Sequence, residues 1–451
     1  MSSIHKQLSS IQIQKGGVGM KEQISIGLLG LGTVGCGVVR LVEAHREEIA
    51  HQTGCDVNIR KVLVRDREKE RGLDIHGALL TADPDEVLAD PETDVIVEVM
   101  GGIEEAREYI MKALNSGKSV VTANKDLIAL HGPELLKTAG DNGCDLMYEA
   151  SVGGGIPIIR GLTEGLSSDR IQKVMGIVNG TTNYILTKMD EDGVSYEKAL
   201  KDAQELGFAE SNPAADVDGL DAARKMAILA RLAFLSNVSL EDVEASGIAG
   251  ISVEDLHYGK KLGYTMKLIG MAHCEDRKIE VSVQPTFLPL EHPLASVKNE
   301  YNAVYVNGEA VGETMFYGPG AGSLPTATAV MSDVVNVIKN KRLGVNGKGS
   351  IRPRFTCELK TAEERHGQFY FRLHLKDEVG AFANITTLFN NLDISFEKIL
   401  QTPICKDEVA EIIIVTHQIS LKKFQEAFMQ LRDLPVVQDV ISHFRVEGEN
   451  K

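Results

Sequence analysis

Five short apolar runs alternate with stretches of helical periodicity through the first third of the chain. The first, Ile24-Ser25-Ile26-Gly27-Leu28-Leu29, ends in Gly30-Leu31-Gly32-Thr33-Val34-Gly35, and a 3.6-residue apolar repeat continues to about Ala50. Runs at 59–64, 95–99, 120–122 and 145–149 predict further strands, with helices near 84–90, 104–116 and 133–141. Strand–helix alternation of this kind predicts an α/β fold with a Rossmann-type, doubly wound parallel sheet over residues 22–150.

The texture changes at Ser151. Over 151–317 the pattern predicts strands at 173–179, 279–283, 303–306 and 308–315 and helices at 181–190, 196–206 and 219–235, an α+β domain. Gly318-Pro319-Gly320-Ala321-Gly322 breaks it, and a helix at 325–340 is expected to return to the first domain, so that 318–345 completes it. Residues 346–367, rich in Lys, Gly, Arg and Glu, read as a linker. Over 368–447 the order is strand 370–375, helix 382–392, strands 394–400 and 410–416, helix 421–431 and strand 436–444, which is ferredoxin-like. Residues 1–21 are polar, with a Gly-Gly-Val-Gly break before Met20, and read as a flexible extension.

Composition narrows the function. The chain has 451 residues and a net charge of −16, which argues against nucleic acid or an anionic membrane as partner. It has no apolar run of bilayer length and no signal sequence. Its 6 cysteines are scattered without a CxxC pair, which fits reduced thiols in a cytoplasm and argues against a disulfide framework or zinc site. None sits in the polar, activating setting that a nucleophilic thiol needs.

The glycine loop carries the first chemistry. Gly30 allows a tight turn, Gly32 allows a pyrophosphate to approach, and Gly35 lets the helix pack on its strand, while the N–H groups of Thr33 and Val34 open that helix. After a strand and before a helix, this spacing points to a dinucleotide. Beyond the second strand stands Arg65, which favours a 2′-phosphate and hence NADP; Asp66 beside it keeps NAD open. Lys125 follows the fourth strand, where ligands of open α/β sheets bind, although a surface lysine starting a helix would look the same. Glu149-Ala150-Ser151-Val152-Gly153-Gly154-Gly155-Ile156-Pro157 sets one carboxylate among loop carbonyls, donors that suit a hard cation, or else a glycine-rich hinge.

Asp221 and Lys225 are four residues apart and share a helix face, behind a loop containing Asp216 and Asp218. An exposed i,i+4 ion pair is common and weak. This one opens a helix that is otherwise apolar (Met226, Ile228, Leu229, Leu232), and a carboxylate beside an ammonium can present a proton to a carbonyl near a nicotinamide.

Taken together, Thr122-Ala123-Asn124-Lys125, the Glu149–Pro157 loop, Asn179-Gly180-Thr181-Thr182-Asn183-Tyr184-Ile185-Leu186, Leu206-Gly207-Phe208-Ala209-Glu210, Asp216-Val217-Asp218-Gly219-Leu220-Asp221-Ala222-Ala223-Arg224-Lys225 and the 318–322 glycine run resemble homoserine dehydrogenase, in order over 22–345. The tail resembles the ACT domain of bacterial members.

The resemblance implies Lys225 as proton donor and Asp221 as its orienting partner. It implies that Glu210 holds a substrate amino group, with Asp216 and Gly180 also at the substrate, and that Lys125 meets substrate and cofactor. Gly320 and Gly322 would approach the nicotinamide. Glu149 and the carbonyls of Val152, Gly154 and Ile156 would hold a sodium ion. It further implies L-aspartate 4-semialdehyde and L-homoserine as substrates, a homodimer or homotetramer, and L-threonine as an effector. The tail departs from the ACT pattern at Asp377-Glu378-Val379-Gly380, where a proline is usual before the glycine. An amino-acid sensor on a degenerate dehydrogenase core would lack part of the catalytic set; here Lys125, Glu210, Asp221 and Lys225 are all present.

Overall fold

The computed structural model describes residues 23–349, 353–403 and 409–448; the N-terminal extension lies outside the described residues. Six parallel strands, β1 (Gln23–Leu29), β2 (Asp56–Leu63), β3 (Leu79–Thr81), β4 (Val95–Glu98), β5 (Ser119–Thr122) and β6 (Leu146–Met147), form one sheet in the order β3-β2-β1-β4-β5-β6. β4 and β5 are buried along their whole length and β1 beyond its first residue, so their sequences read as solid apolar runs rather than alternations. The direction of winding reverses between β1 and β4, and the crevice beyond their carboxyl ends is where this class of sheet binds ligands.

Three details differ from the sequence pattern. The first helix ends at Ala44, and a separate helix, Arg46–Thr53, follows after His45. β3 was not expected: it is three residues long and follows a polar stretch. The helix expected near 133 begins at Lys125 and runs to Asp141 with Pro133 inside it.

The helix Ser323–Leu343 returns to the first sheet as expected, burying Val330, Val334, Val337 and Ile338 in its core. It lies directly on the helix Thr33–Ala44. A Cβ on Gly37 would stand 2.5 Å from the Ser323 carbonyl oxygen, and the Ser323 hydroxyl donates to the Thr33 carbonyl at 2.6 Å.

A second, mixed sheet runs from Gly312–Pro319 at one edge through Tyr301–Gly308, Ile171–Ile177, Tyr264–Glu275 and Lys278–Pro289. It then continues through Val437–Val446, His366–Lys376 and Val409–Thr416 to Phe396–Pro403. The last four strands have the ferredoxin-like order expected of the tail, two helices intervening as Ala381–Asn391 and Leu421–Asp433.

The two halves of this sheet join through a parallel pairing of Thr286 with Arg445 and Phe287 with Val446. Phe287 fills the seam, 4.9 Å from Tyr370 and 5.8 Å from Phe444 between ring centres. Beside it, buried Asp255 accepts from Ser442 Oγ at 2.6 Å and Tyr370 OH at 3.3 Å. The described part of the 346–367 connection is laid on the middle sheet: Arg354 and Phe355 donate to the Leu235 carbonyl, and Glu358–Leu359 pairs with Lys278–Ile279. Among the described residues no helix is long and apolar enough to cross a membrane.

Candidate active site

The loop after β1 has the geometry its glycines require. Gly30 has φ +104°, in the left-handed region, and its N–H bonds the Leu63 carbonyl at 3.0 Å. A Cβ on Gly35 would meet the Gly30 carbonyl oxygen at 2.2 Å, so the helix packs against its own turn only with glycine there. Gly32 faces open space and precedes a helix start that no side chain caps, leaving the first-turn N–H groups of Thr33, Val34 and Gly35 available to an anion.

The second cluster lies at the start of the helix Leu220–Ala233. Asp221 and Lys225 are both buried. Lys225 Nζ donates to Asp221 Oδ2 at 2.7 Å and to the Val178 carbonyl at 2.6 Å. An ammonium has three N–H bonds. Two are engaged here, and one remains for a substrate oxygen.

Lys125 Nζ stands 2.7 Å from the other Asp221 oxygen, reaching across from the N-terminus of its own helix. Asn124 caps that helix by accepting from Leu127 N at 3.1 Å. Burial alone would raise the Asp221 carboxyl, but Lys225 and Lys125 overcome it and hold it well below the usual carboxylate range. Burial pushes Lys125 down, and Asp221 more than offsets this, so its net shift is upward. Asp216 is raised, chiefly by burial, with the Asn179 amide pulling the other way.

Two further contacts tie the Lys125 helix to the Asp221 helix. Asp126 pairs with Arg224 at 2.8 Å, and the buried Arg231 guanidinium donates to the carbonyls of Ile128 and Ala129 at 3.0 and 2.9 Å. The first sheet and the middle domain thus meet along the cluster.

The 149–157 loop lies against the 318–322 glycine run. A Cβ on Gly154 would come within 2.5 Å of the Gly320 carbonyl oxygen, and Gly155 N donates to Pro319 O at 3.1 Å. Both oxygens of the buried Glu149 carboxylate accept backbone N–H groups, from Ile159 and Arg160, each at 2.8 Å. Ile156 O accepts from Ile158 N, whereas the Val152 and Gly154 carbonyls accept no hydrogen bond among the described residues. Two open carbonyls, a third with a lone pair to spare and a carboxylate make a donor set that fits a hard cation. No group of three or more His, Cys, Asp or Glu side chains among the described residues is arranged to hold a metal.

The other candidates make no hydrogen bond or ion pair with the lysine pair among the described residues, although Gly180 directly follows Asn179. Glu210 is exposed on the loop after the helix Tyr196–Glu205, and its carboxylate has no hydrogen bond or ion pair among the described residues. Gly180 packs on the Glu300 carbonyl, where a Cβ would stand at 2.6 Å. Gly320 is pressed against Asn302, and Gly322, at φ +122°, opens the returning helix. Arg65 is exposed just past β2.

Two residues had no expected role. Asn179 links Asp216 and Asp221. Asp333 lies buried in the returning helix, accepting Glu149 N at 2.8 Å and Arg160 Nη2 at 2.7 Å. Asp333 is the one acidic residue of the helix Ser323–Leu343, and that is its sequence signal; Asn179 reads in the sequence as the end of a strand and the first residue of the 179–186 run.

A dinucleotide-type loop after β1, with Lys125 of the same sheet ion-paired to a buried lysine–carboxylate cluster, is the arrangement of a nicotinamide-dependent oxidoreductase. The model of the homoserine dehydrogenase NAD-binding domain matches residues 30–149, and that of homoserine dehydrogenase itself matches 157–335. A homoserine dehydrogenase of Bacillus subtilis is 58% identical over 426 residues, covering 94% of this chain and 98% of the relative. The crystal structure of a homoserine dehydrogenase from Thiobacillus denitrificans superposes with a TM-score of 0.89 at 38% identity, covering 94% of this chain and 98% of that one. A hyperthermophilic archaeal homoserine dehydrogenase in complex with NADPH aligns at 27% identity and a TM-score of 0.60, over 70% of this chain and 98% of that chain. The chain belongs to the homoserine dehydrogenase family.

Proposed function

We propose that this enzyme reduces L-aspartate 4-semialdehyde to L-homoserine, preferring NADPH, in the route to threonine, methionine and isoleucine. The observation that carries the chemistry is the Lys225 ammonium, fixed by Val178 O and Asp221 with one N–H left over. A bound nicotinamide supplies the hydride. Lys225 then delivers a proton to the aldehyde oxygen, and its charge stabilises the alkoxide as it forms. Asp221 keeps that ammonium oriented. Lys125, ion-paired to Asp221 but partly exposed, is available to the substrate carboxylate. The unpaired carboxylate of Glu210 suits the substrate's α-ammonium group.

Arg65 supports NADP, being exposed at the strand end while Asp66 Oδ1 is turned back onto Glu68 N at 2.9 Å. The NADPH complex of the archaeal relative points the same way. A sodium ion at Glu149, Val152, Gly154 and Ile156 would brace the joint between the domains. The exposed edge strand Gly312–Pro319, with Met315 and the stacked Tyr301–Tyr317 pair 5.2 Å apart, suits a homodimer, or a homotetramer built from it. The C-terminal unit is read as an ACT domain taking an amino acid such as L-threonine. Its turn glycine, Gly380, has φ +91°, which keeps the turn despite the missing proline.

Steady-state oxidation of L-homoserine with NADP and with NAD, with and without L-threonine, tests this reading. Turnover that is faster with NADP and suppressed by threonine supports all of it. Turnover indifferent to threonine removes the effector, and no turnover with either cofactor removes the reaction.

A further inference from the structure

We propose that Asn179 is a positioning residue for catalysis, which holds the Asp216 and Asp221 carboxylates together and so fixes the direction of the Lys225 ammonium. The proposal rests on Lys225 being the proton donor. Asn179 is buried immediately before the helix Gly180–Asp192. Its side-chain oxygen accepts from Thr182 N at 2.9 Å and from Thr182 Oγ1 at 3.0 Å. That cap settles which way the amide faces. The NH2 group is turned to the carboxylates, donating to Asp216 Oδ1 at 2.7 Å and Asp221 Oδ2 at 2.8 Å. All four hydrogen-bonding positions of the amide are filled.

Asp221 Oδ2 therefore receives Lys225 and Asn179 together, while its partner oxygen faces Lys125. The neighbouring residue, Val178, supplies the carbonyl that holds Lys225. Two adjacent residues of one strand end thus fix both ends of the lysine–aspartate pair. The charged groups facing this pair are Asp216 from the turn Ala214–Val217, Lys125 and Asp126 from the helix Lys125–Asp141, and Arg224 from the pair's own helix, Leu220–Ala233. Asp216 and Asp221 repel each other, and a neutral double donor between them offsets that repulsion without adding a third charge.

The cap and the positioning role can be separated. In Asn179→Asp the side chain still caps the helix, since aspartate is as good a cap as asparagine, but it donates nothing to the carboxylates and adds a negative charge near Lys225. The expected result is a kcat for homoserine oxidation lower by roughly 10- to 100-fold, as for a misplaced catalytic group, in a protein that still folds but melts earlier because a third buried carboxylate repels the other two. The pH profile of kcat should differ from that of the native enzyme, because a third carboxylate then stands beside the Asp216–Asp221 pair. Asn179→Ser, which caps and donates once, should fall between the two. Lys225→Ala is measured in parallel. If it retains turnover, the proton-donor reading itself fails. If it is inactive while Asn179→Asp matches the native enzyme in kcat and pH profile, Asn179 is only a cap and the proposal is overturned.

Discussion

Lys125 and Asp221 come from different domains, and their charged atoms stand 2.7 Å apart. The lysine opens a helix at the edge of the dinucleotide-binding sheet, and the aspartate opens the helix that carries Lys225. The pair joins the dinucleotide-binding sheet to the helix that carries Lys225. Lys125→Met should leave the fold intact, since the lysine is partly exposed, but release one side of Asp221. An approximately 10²-fold loss in kcat/KM is expected from the misplaced cluster. Steady-state kinetics alongside a thermal melt checks it; unchanged kcat/KM would make the pair incidental.

The depressed Asp221 carboxyl makes a prediction about acid. Its folded-state pKa is below the unfolded value because Lys225 and Lys125 outweigh the burial penalty. The stability it contributes is therefore complete above the unfolded carboxylate pKa, about 4, and is lost as pH falls through the folded one. Asp221→Asn should narrow its stability gap to the native protein as pH drops from 7 to 3. Chemical denaturation at both pH values measures the gap, and a gap that widens toward acid would contradict the assignment.

The glycine loop predicts two substitutions of unlike character. Gly35→Ala drives a methyl into the Gly30 carbonyl oxygen at 2.2 Å and should destabilise the apo-protein by about 1–3 kcal/mol. Gly32→Ala meets nothing within 4 Å at an ordinary negative φ, so its stability should change by less than about 0.5 kcal/mol. Its cost should fall on cofactor affinity instead. Melting curves and NADP titrations of both variants separate the cases.

Phe287 predicts how firmly the ferredoxin-like unit is attached. It is wholly buried between Tyr370 and Phe444, so Phe287→Ala should cost about 3–5 kcal/mol. A melt in which the C-terminal unit separates as an earlier transition would show that this ring joins the sheets.

The first sheet was legible because doubly buried parallel strands must be apolar throughout and the glycine spacing marks the turn after β1. β3 was not, being three residues paired only along one edge. The strand Tyr264–Glu275 was missed because both faces are covered for most of its length, leaving no alternation to read. At the site, the four-residue spacing of Asp221 and Lys225 and the strand-end position of Lys125 pointed to chemistry. The contact between Lys125 and Asp221 is purely tertiary, and neither residue's neighbours announce it. Asn179 reads in the sequence only as a strand end and part of the 179–186 run, since its contacts depend on two carboxylates delivered by a later loop and helix.

Lys225 as proton donor is the central claim. The most direct test is single-turnover oxidation of L-homoserine by Lys225→Ala with NADP already bound at saturation. The account predicts a hydride-transfer rate lower by roughly 10²–10⁴-fold, the usual worth of a positioned acid–base group, with NADP affinity nearly unchanged. A rate within a few-fold of the native enzyme would contradict it.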